Sequence, residues 1–289
     1  MIYYLLLLLS IVLAVCKSSL YNAYAKKEPT LGATFFFNAV SYGAAAMVAW
    51  IGMAISGETP SATTVLCAFF YAAVVVSLQT ISITAMRVGA MSATSICIMY
   101  GMIIPSVAGP IFWKESIGFL QIAGILLMIA SLWFIKEKMQ AQQKTAKKWT
   151  VLASLAFVLS GMAGVMEKIH QSTKAAEERL SFVFVACAFM LLFSLAARLT
   201  VRKKTEKGSA RTALLLAACS GLVIGLYSTV NLILSGGLDS MIYYPIANGG
   251  AMLLTVLVSA VVFKERYDKR KIVGTALGLL GILLLSLPI

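Results

Sequence analysis

Ten long apolar stretches follow one another along this chain, separated only by short polar breaks. That succession constrains the fold more than any single motif. The stretches run over about 2–25, 32–56, 62–86, 90–113, 117–135, 149–170, 179–201, 211–234, 239–263 and 270–287. A helix needs roughly 20 apolar residues to cross the hydrocarbon core of a bilayer, and each stretch comes near that length. The breaks are polar or turn-forming: Lys26 to Pro29, Gly57 to Pro60, and the basic run 136–148. Only 12% of the residues are charged, against about 25% in a soluble domain, so lipid has to serve as solvent. The runs do not alternate apolar with polar residues, which argues against a barrel. The expected class is an all-α membrane protein with ten transmembrane helices. Its 21 glycines suit close helix packing in lipid.

The chain starts Met1, Ile2, Tyr3, Tyr4 with no basic region ahead of its first apolar run and no clear small-residue cleavage site. It reads as a retained first span. The five cysteines, Cys16, Cys67, Cys97, Cys187 and Cys219, all fall within spans and have no metal-ligand spacing. Buried structural thiols are the simplest account of them. Neither a metal nor a cofactor is expected.

The two halves of the chain resemble each other. Phe112, Trp113, Lys114 and Glu115 close the fourth span, and Val262, Phe263, Lys264 and Glu265 close the ninth, 150 residues later. The same offset pairs Ile122 with Ile272, Gly124 with Gly274 and Leu127 with Leu277. A weaker match joins Ser18, Ser19 and Lys26 to Ser160, Gly161 and Lys168. Residues 1–140 then form a first five-helix repeat, 141–148 a basic linker and 149–289 a second repeat. Five is odd, so the second repeat must enter the membrane inverted. Inverted repeats recur in secondary transporters, with the substrate site near the midplane between the halves.

Ten spans, a duplicated five-helix unit and a Lys-Glu turn before the last helix of each half resemble the drug/metabolite transporter superfamily in its EamA-like branch. The resemblance covers essentially the whole chain. It implies a transporter with a central cavity between its halves and alternating access. The Trp-Gly pair common in the first span of that family is replaced here by Ser18 and Ser19.

The net charge of +13 is distributed like that of a membrane protein, not a nucleic-acid binder. Nineteen of the 24 Lys and Arg residues flank the ends of odd-numbered spans. Basic loops stay cytoplasmic, which places both termini outside, with both inside as the alternative; one miscounted span would reverse part of this assignment. The basic face would meet anionic lipid. The expected location is a bacterial inner membrane.

Lys17 is the sharpest candidate for a functional side chain. It lies deep in the first span, between Ala14, Val15, Cys16 and Ser18, Ser19. A cation in hydrocarbon costs at least about 2.5 kcal/mol on insertion scales, so such residues face a cavity or a partner. Lys17 either holds a substrate carboxylate or phosphate, or snorkels to an interface. No acidic residue is expected at comparable depth to neutralise it. Of the eleven acids, only Glu167, near the end of span six, is a candidate for coupling transport to protons, and interfacial pairing with Lys168 or His170 is its simpler role. Glu115 and Glu265 follow lysines at tight turns, where a carboxylate can accept backbone N–H groups at the start of the next helix.

The deep polar and aromatic residues are the candidate cavity lining: Tyr21 and Asn22, Asn38 and Tyr42, Gln79, Tyr100, Tyr227 and Asn231, and Tyr244 and Asn248. The last two pairs each put a tyrosine and an amide one turn apart on one helix face. An amide in lipid needs either another helix or a ligand. Pro245 with Gly249 and Gly250, and Pro105 with Gly101 and Gly109, interrupt spans nine and four. Such interruptions expose backbone to a cavity or make a packing kink.

Ser160 lies about 15 Å along a helix from the single histidine, His170, so no nucleophile–base pair forms there. There is no phosphate-binding glycine loop and no ring of polar residues expected of a channel. A non-enzymatic secondary transporter is the expected function. It would move a small metabolite with an anionic or zwitterionic group, such as an amino acid. The alternatives are proton-coupled efflux of cationic or amphipathic compounds through Glu167, and a scaffold or lipid-handling protein. The expected partners are the small-molecule substrate, the bilayer and a coupling proton or counter-substrate, not nucleic acid. Oligomeric state is left open.

Overall fold

A computed structural model describes residues 2–114, 117–135, 143–201, 210–237, 245–265, 268–285 and 287. Ten helical segments occupy them: α1 Ile2–Ala25, α2 Leu31–Ser56, α3 Ala62–Val88, α4 Met91–Phe112, α5 Phe119–Ile135, α6 Gln143–Gln171, α7 Arg179–Thr200, α8 Ala210–Gly237, α9 from Pro245 to Val261, and α10 Lys269–Leu285. Seven are long and apolar enough to span a membrane, while α5 and α9 are shorter apolar helices. Their ends agree with the sequence expectation to within a few residues, except that α6 starts at Gln143, inside the basic run, and that the expected start of span nine lies outside the described residues. Tyr244 lies outside the described residues, as does Glu115.

The helices start and stop where side chains satisfy their end groups. Thr30 accepts the N–H of Ala33 at 3.2 Å to begin α2, and Ser61 accepts that of Thr64 at 3.3 Å to begin α3. These oxygens satisfy backbone donors that have no intrahelical partner. At the far end of α2, Gly57 adopts φ 70°, the left-handed turn that glycine makes without steric cost.

The most extensive pairings join a helix of the first five to one of the last five: α2 with α7 and α8, α3 with α6 and α7, α1 with α8 and α9, α4 with α6 and α9, and α5 with α10; within the first five, α1 also packs on α3. Exchanging each helix for its counterpart five places along maps the pairings between the halves onto themselves. Glycines permit the closest approaches. A Cβ at Gly221 on α8 would lie 2.1 Å from the carbonyl oxygen of Ser41 on α2, and one at Gly124 on α5 would lie 2.6 Å from that of Gly281 on α10.

Both expected interruptions are present, in different forms. In α4 the α-helical hydrogen bonding gives way to a 3₁₀ turn at Tyr100–Met102, just before Pro105. The first described turn of α9 is π-helical, at Pro245–Gly249. Such irregular turns concentrate at hinges and functional positions.

Candidate functional site

Four helices bring the site together. Lys17 comes from α1, Tyr227 from α8, Glu167 from α6 and Tyr71 from α3. The ammonium of Lys17 sits 4.4 Å from the centroid of the Tyr227 ring, the geometry of a cation–π contact. Tyr71 Oη donates to Glu167 Oε1 at 2.7 Å. Each charge therefore rests against a tyrosine of the opposite half, and α1 and α6, like α3 and α8, are counterparts five helices apart.

Lys17 and Glu167 are within electrostatic reach of each other. This corrects the expectation that Lys17 has no acidic neighbour. Sequence position hid the relationship, because the two residues stand on helices that meet only when the halves assemble. Glu167 is exposed. Lys17, Tyr71 and Tyr227 are half-buried. The arrangement offers one positive and one negative pole, each with an aromatic neighbour.

The remaining expected residues divide. Asn231 joins the site's edge: it stands one turn from Tyr227 on α8, and its Oδ1 accepts from Ser10 Oγ at 2.6 Å, tying α8 to α1. Asn38 and Gln79 do not join. Gln79 Nε2 donates to Asn38 Oδ1 and Asn38 Nδ2 donates to Thr80 Oγ1, both at 2.9 Å, in a buried set that links α2 to α3. The amides are satisfied by each other, as lipid-embedded polar groups require. Tyr100 is also structural, with its hydroxyl 2.7 Å from Ser131 Oγ and its ring fully buried. Tyr21 is buried edge-on to Phe37, and Asn248 is half-buried in the π turn of α9. Pro105 packs where a Cβ at Gly164 of α6 would meet its ring at 3.1 Å.

His170 belongs to a cap, not to the charge pair. Thr64 Oγ1 donates to Glu178 Oε2 at 2.6 Å, so His170 Nε2, 3.0 Å away, donates to Thr64. The imidazole stacks on Phe182 with centroids 4.3 Å apart. Glu178 also accepts the N–H of Ser61 at 2.7 Å. That backbone bond, and then the Thr64 hydroxyl, hold its carboxyl below the usual range. Glu58 does the reverse service, accepting the N–H of Ser181 on α7 at 3.0 Å. Glu265 accepts the N–H of Met91 at 2.6 Å and bonds Ser92 through both its N–H and its hydroxyl. It therefore caps α4, not the helix that follows it, correcting the expectation for that turn.

Sequence reading passed over Tyr71, which stands in the run Phe69, Phe70, Tyr71 and resembles a lipid-facing aromatic there. The usable signal was its helix, α3, the counterpart of the helix that carries Tyr227. An apolar groove along α1, α8 and α9, lined by Val12, Val15, Cys16, Ser19 and neighbours, has no charged group with which to read a polar substrate. The charge–tyrosine units define the candidate site instead.

A crystal structure described only as that of a protein shares the fold with a TM-score of 0.62, covering 98% of this chain and 96% of that one at 14% identity. No curated protein matches in sequence. Residues 147–287 match the EamA-like transporter family. Through that second half, this integral membrane chain belongs to the EamA-like transporter family.

Proposed function

We propose that this protein is a secondary transporter of a small zwitterionic metabolite, such as an amino acid, moved by alternating access between two inverted five-helix halves. The observation that carries the reading is the opposed pair Lys17 and Glu167, each against a tyrosine from the other half. A substrate carboxylate would approach Lys17 and a substrate ammonium Glu167. Intramembrane ionisable residues mark substrate or ion pathways, and two poles of opposite sign favour a molecule that carries both charges. The self-matching helix pairings support the inverted repeat. The basic ends of odd-numbered spans support cytoplasmic placement of that face in a bacterial inner membrane, with both termini outside.

Thermal unfolding of detergent-purified protein against amino acids, organic acids and quaternary amines tests the reading. A ligand that binds only the folded state raises the melting temperature by mass action. Zwitterions should stabilise the wild type and lose their effect in both Lys17→Gln and Glu167→Gln. Stabilisation by quaternary amines that survives Lys17→Gln but not Glu167→Gln would replace this reading with proton-coupled efflux of cations.

A further inference from the structure

Two more cation–π contacts lie beyond the site, at the ends of the helices that carry its charges. Lys26, just past the end of α1, places Nζ 4.6 Å from the centroid of Phe263 at the end of α9. Lys168, in the last turn of α6, places Nζ 5.2 Å from the centroid of Trp113 at the end of α4. The contacts correspond through the sequence repeat, since Phe263 follows Trp113 by 150 residues and Lys26 matches Lys168. Successive spans cross in alternating directions, so the ends of α1 and α9 share one membrane face and the ends of α4 and α6 share the other.

We propose that Lys26–Phe263 and Lys168–Trp113 are twin latches, one at each membrane face, that release in alternation. This rests on the transport reading above. Each lysine is joined to a helix that carries a site charge: Lys26 directly follows α1, which holds Lys17, and Lys168 stands beside Glu167 on α6. A substrate that draws Lys17 and Glu167 together therefore shifts both latch lysines. Each aromatic also precedes a turn of fixed shape, with Lys114 at φ 55° and Lys264 at φ 53°. The turn at Lys264 ends in Glu265, which grips the start of α4. The aromatic of the α1 latch is thereby tied to the helix that carries the aromatic of the α6 latch, and the two faces are mechanically joined through α4.

Each cation–π contact is individually weak. A cation–π pair at an accessible position is worth about 0.5–1 kcal/mol, or about two- to fivefold in a conformational equilibrium. A latch of that strength biases a face without locking it.

Hydrogen exchange of the full chain in lipid nanodiscs tests the linkage without any substrate. Phe263→Leu should speed amide exchange at residues 22–28 about two- to fivefold and slow it at 168–174. Trp113→Leu should do the reverse. Lys26→Met should reproduce the Phe263→Leu pattern, and Lys26→Arg, which keeps the cation, should retain the wild-type pattern. A change confined to the substituted face, or none at either, overturns the proposal. Reciprocal exchange in a protein that moves no solute would sustain the latches and remove the transport reading instead.

Discussion

The carboxylate of Glu265 closes a helix to which it does not belong, accepting the Met91 N–H at the start of α4 from the far end of α9. Ala90, at the natural capping position of α4, makes no side-chain cap bond. Replacing Glu265 with alanine should cost about 1–2 kcal/mol, the scale of a lost helix cap. Amide exchange should accelerate first over residues 91–95. Glu265→Gln keeps acceptor geometry without charge and should fall between wild type and alanine in melting temperature.

Tyr71 orients Glu167 without carrying charge itself. Tyr71→Phe removes one hydrogen bond to a carboxylate, worth about 1.5 kcal/mol. Ligand affinity at the site should weaken as Glu167 loses the group that orients it, and the melting temperature of the unliganded protein should fall, since the bond is present without ligand. Isothermal titration with the zwitterion found in the thermal screen measures the first effect. An unchanged affinity would show that Tyr71 plays no part in the site.

Glu178 gives the fold a defined acid sensitivity. Its carboxyl titrates below its unfolded value because Ser61 and Thr64 bond the charged form. Its contribution is therefore full above the unfolded glutamate pKa of about 4.3 and disappears as pH falls through the lower folded value. The melting temperature of wild type should exceed that of Glu178→Gln at neutral pH. The gap should close below about pH 4. A gap that widens on acidification would contradict the assigned cap.

Gly221 is the contact point of α2 and α8. A methyl group there would meet the Ser41 carbonyl oxygen, a backbone atom with nowhere to move, and the Ser41 hydroxyl already donates to Ala217 O at 3.0 Å beside it. Gly221→Ala should destabilise by about 1–3 kcal/mol, the usual range for overpacking. Gly57→Ala in the α2–α3 turn meets no neighbouring atom but strains a left-handed φ of 70°. Chemical denaturation of both variants, with hydrogen exchange to locate the loosened segment, distinguishes packing strain from turn strain.

Much of this architecture was legible in the chain. Helix number and ends followed from apolar length and from breaks such as Lys26 to Pro29, because a bilayer leaves the backbone few choices. Lys17 stood out because a cation inside a span demands an explanation. What escaped was everything that depends on how the halves meet. Glu167 is distant from Lys17 in sequence, and nothing local to either residue announces the other. Asn38 and Gln79 resemble site residues until the hydrogen bond between them is known. Trp113 and Phe263 were noticed as repeat markers, while their cations lay on helices that sequence could not place beside them.

The crossed pairing of helices also bears on how the protein is made. As the first five helices leave the ribosome, α5 lacks α10, α1 lacks α8 and α9, and α2 lacks α7 and α8. Each can enter the bilayer alone, since its backbone bonds are internal, but its main packing surfaces wait for later helices. Within the first half only the lesser contacts, chiefly α1 on α3, are available before the later helices arrive. The larger part of the packing is thus completed late in synthesis. A break anywhere in the second half would strand the first half inserted but unassembled, a ready substrate for membrane quality control.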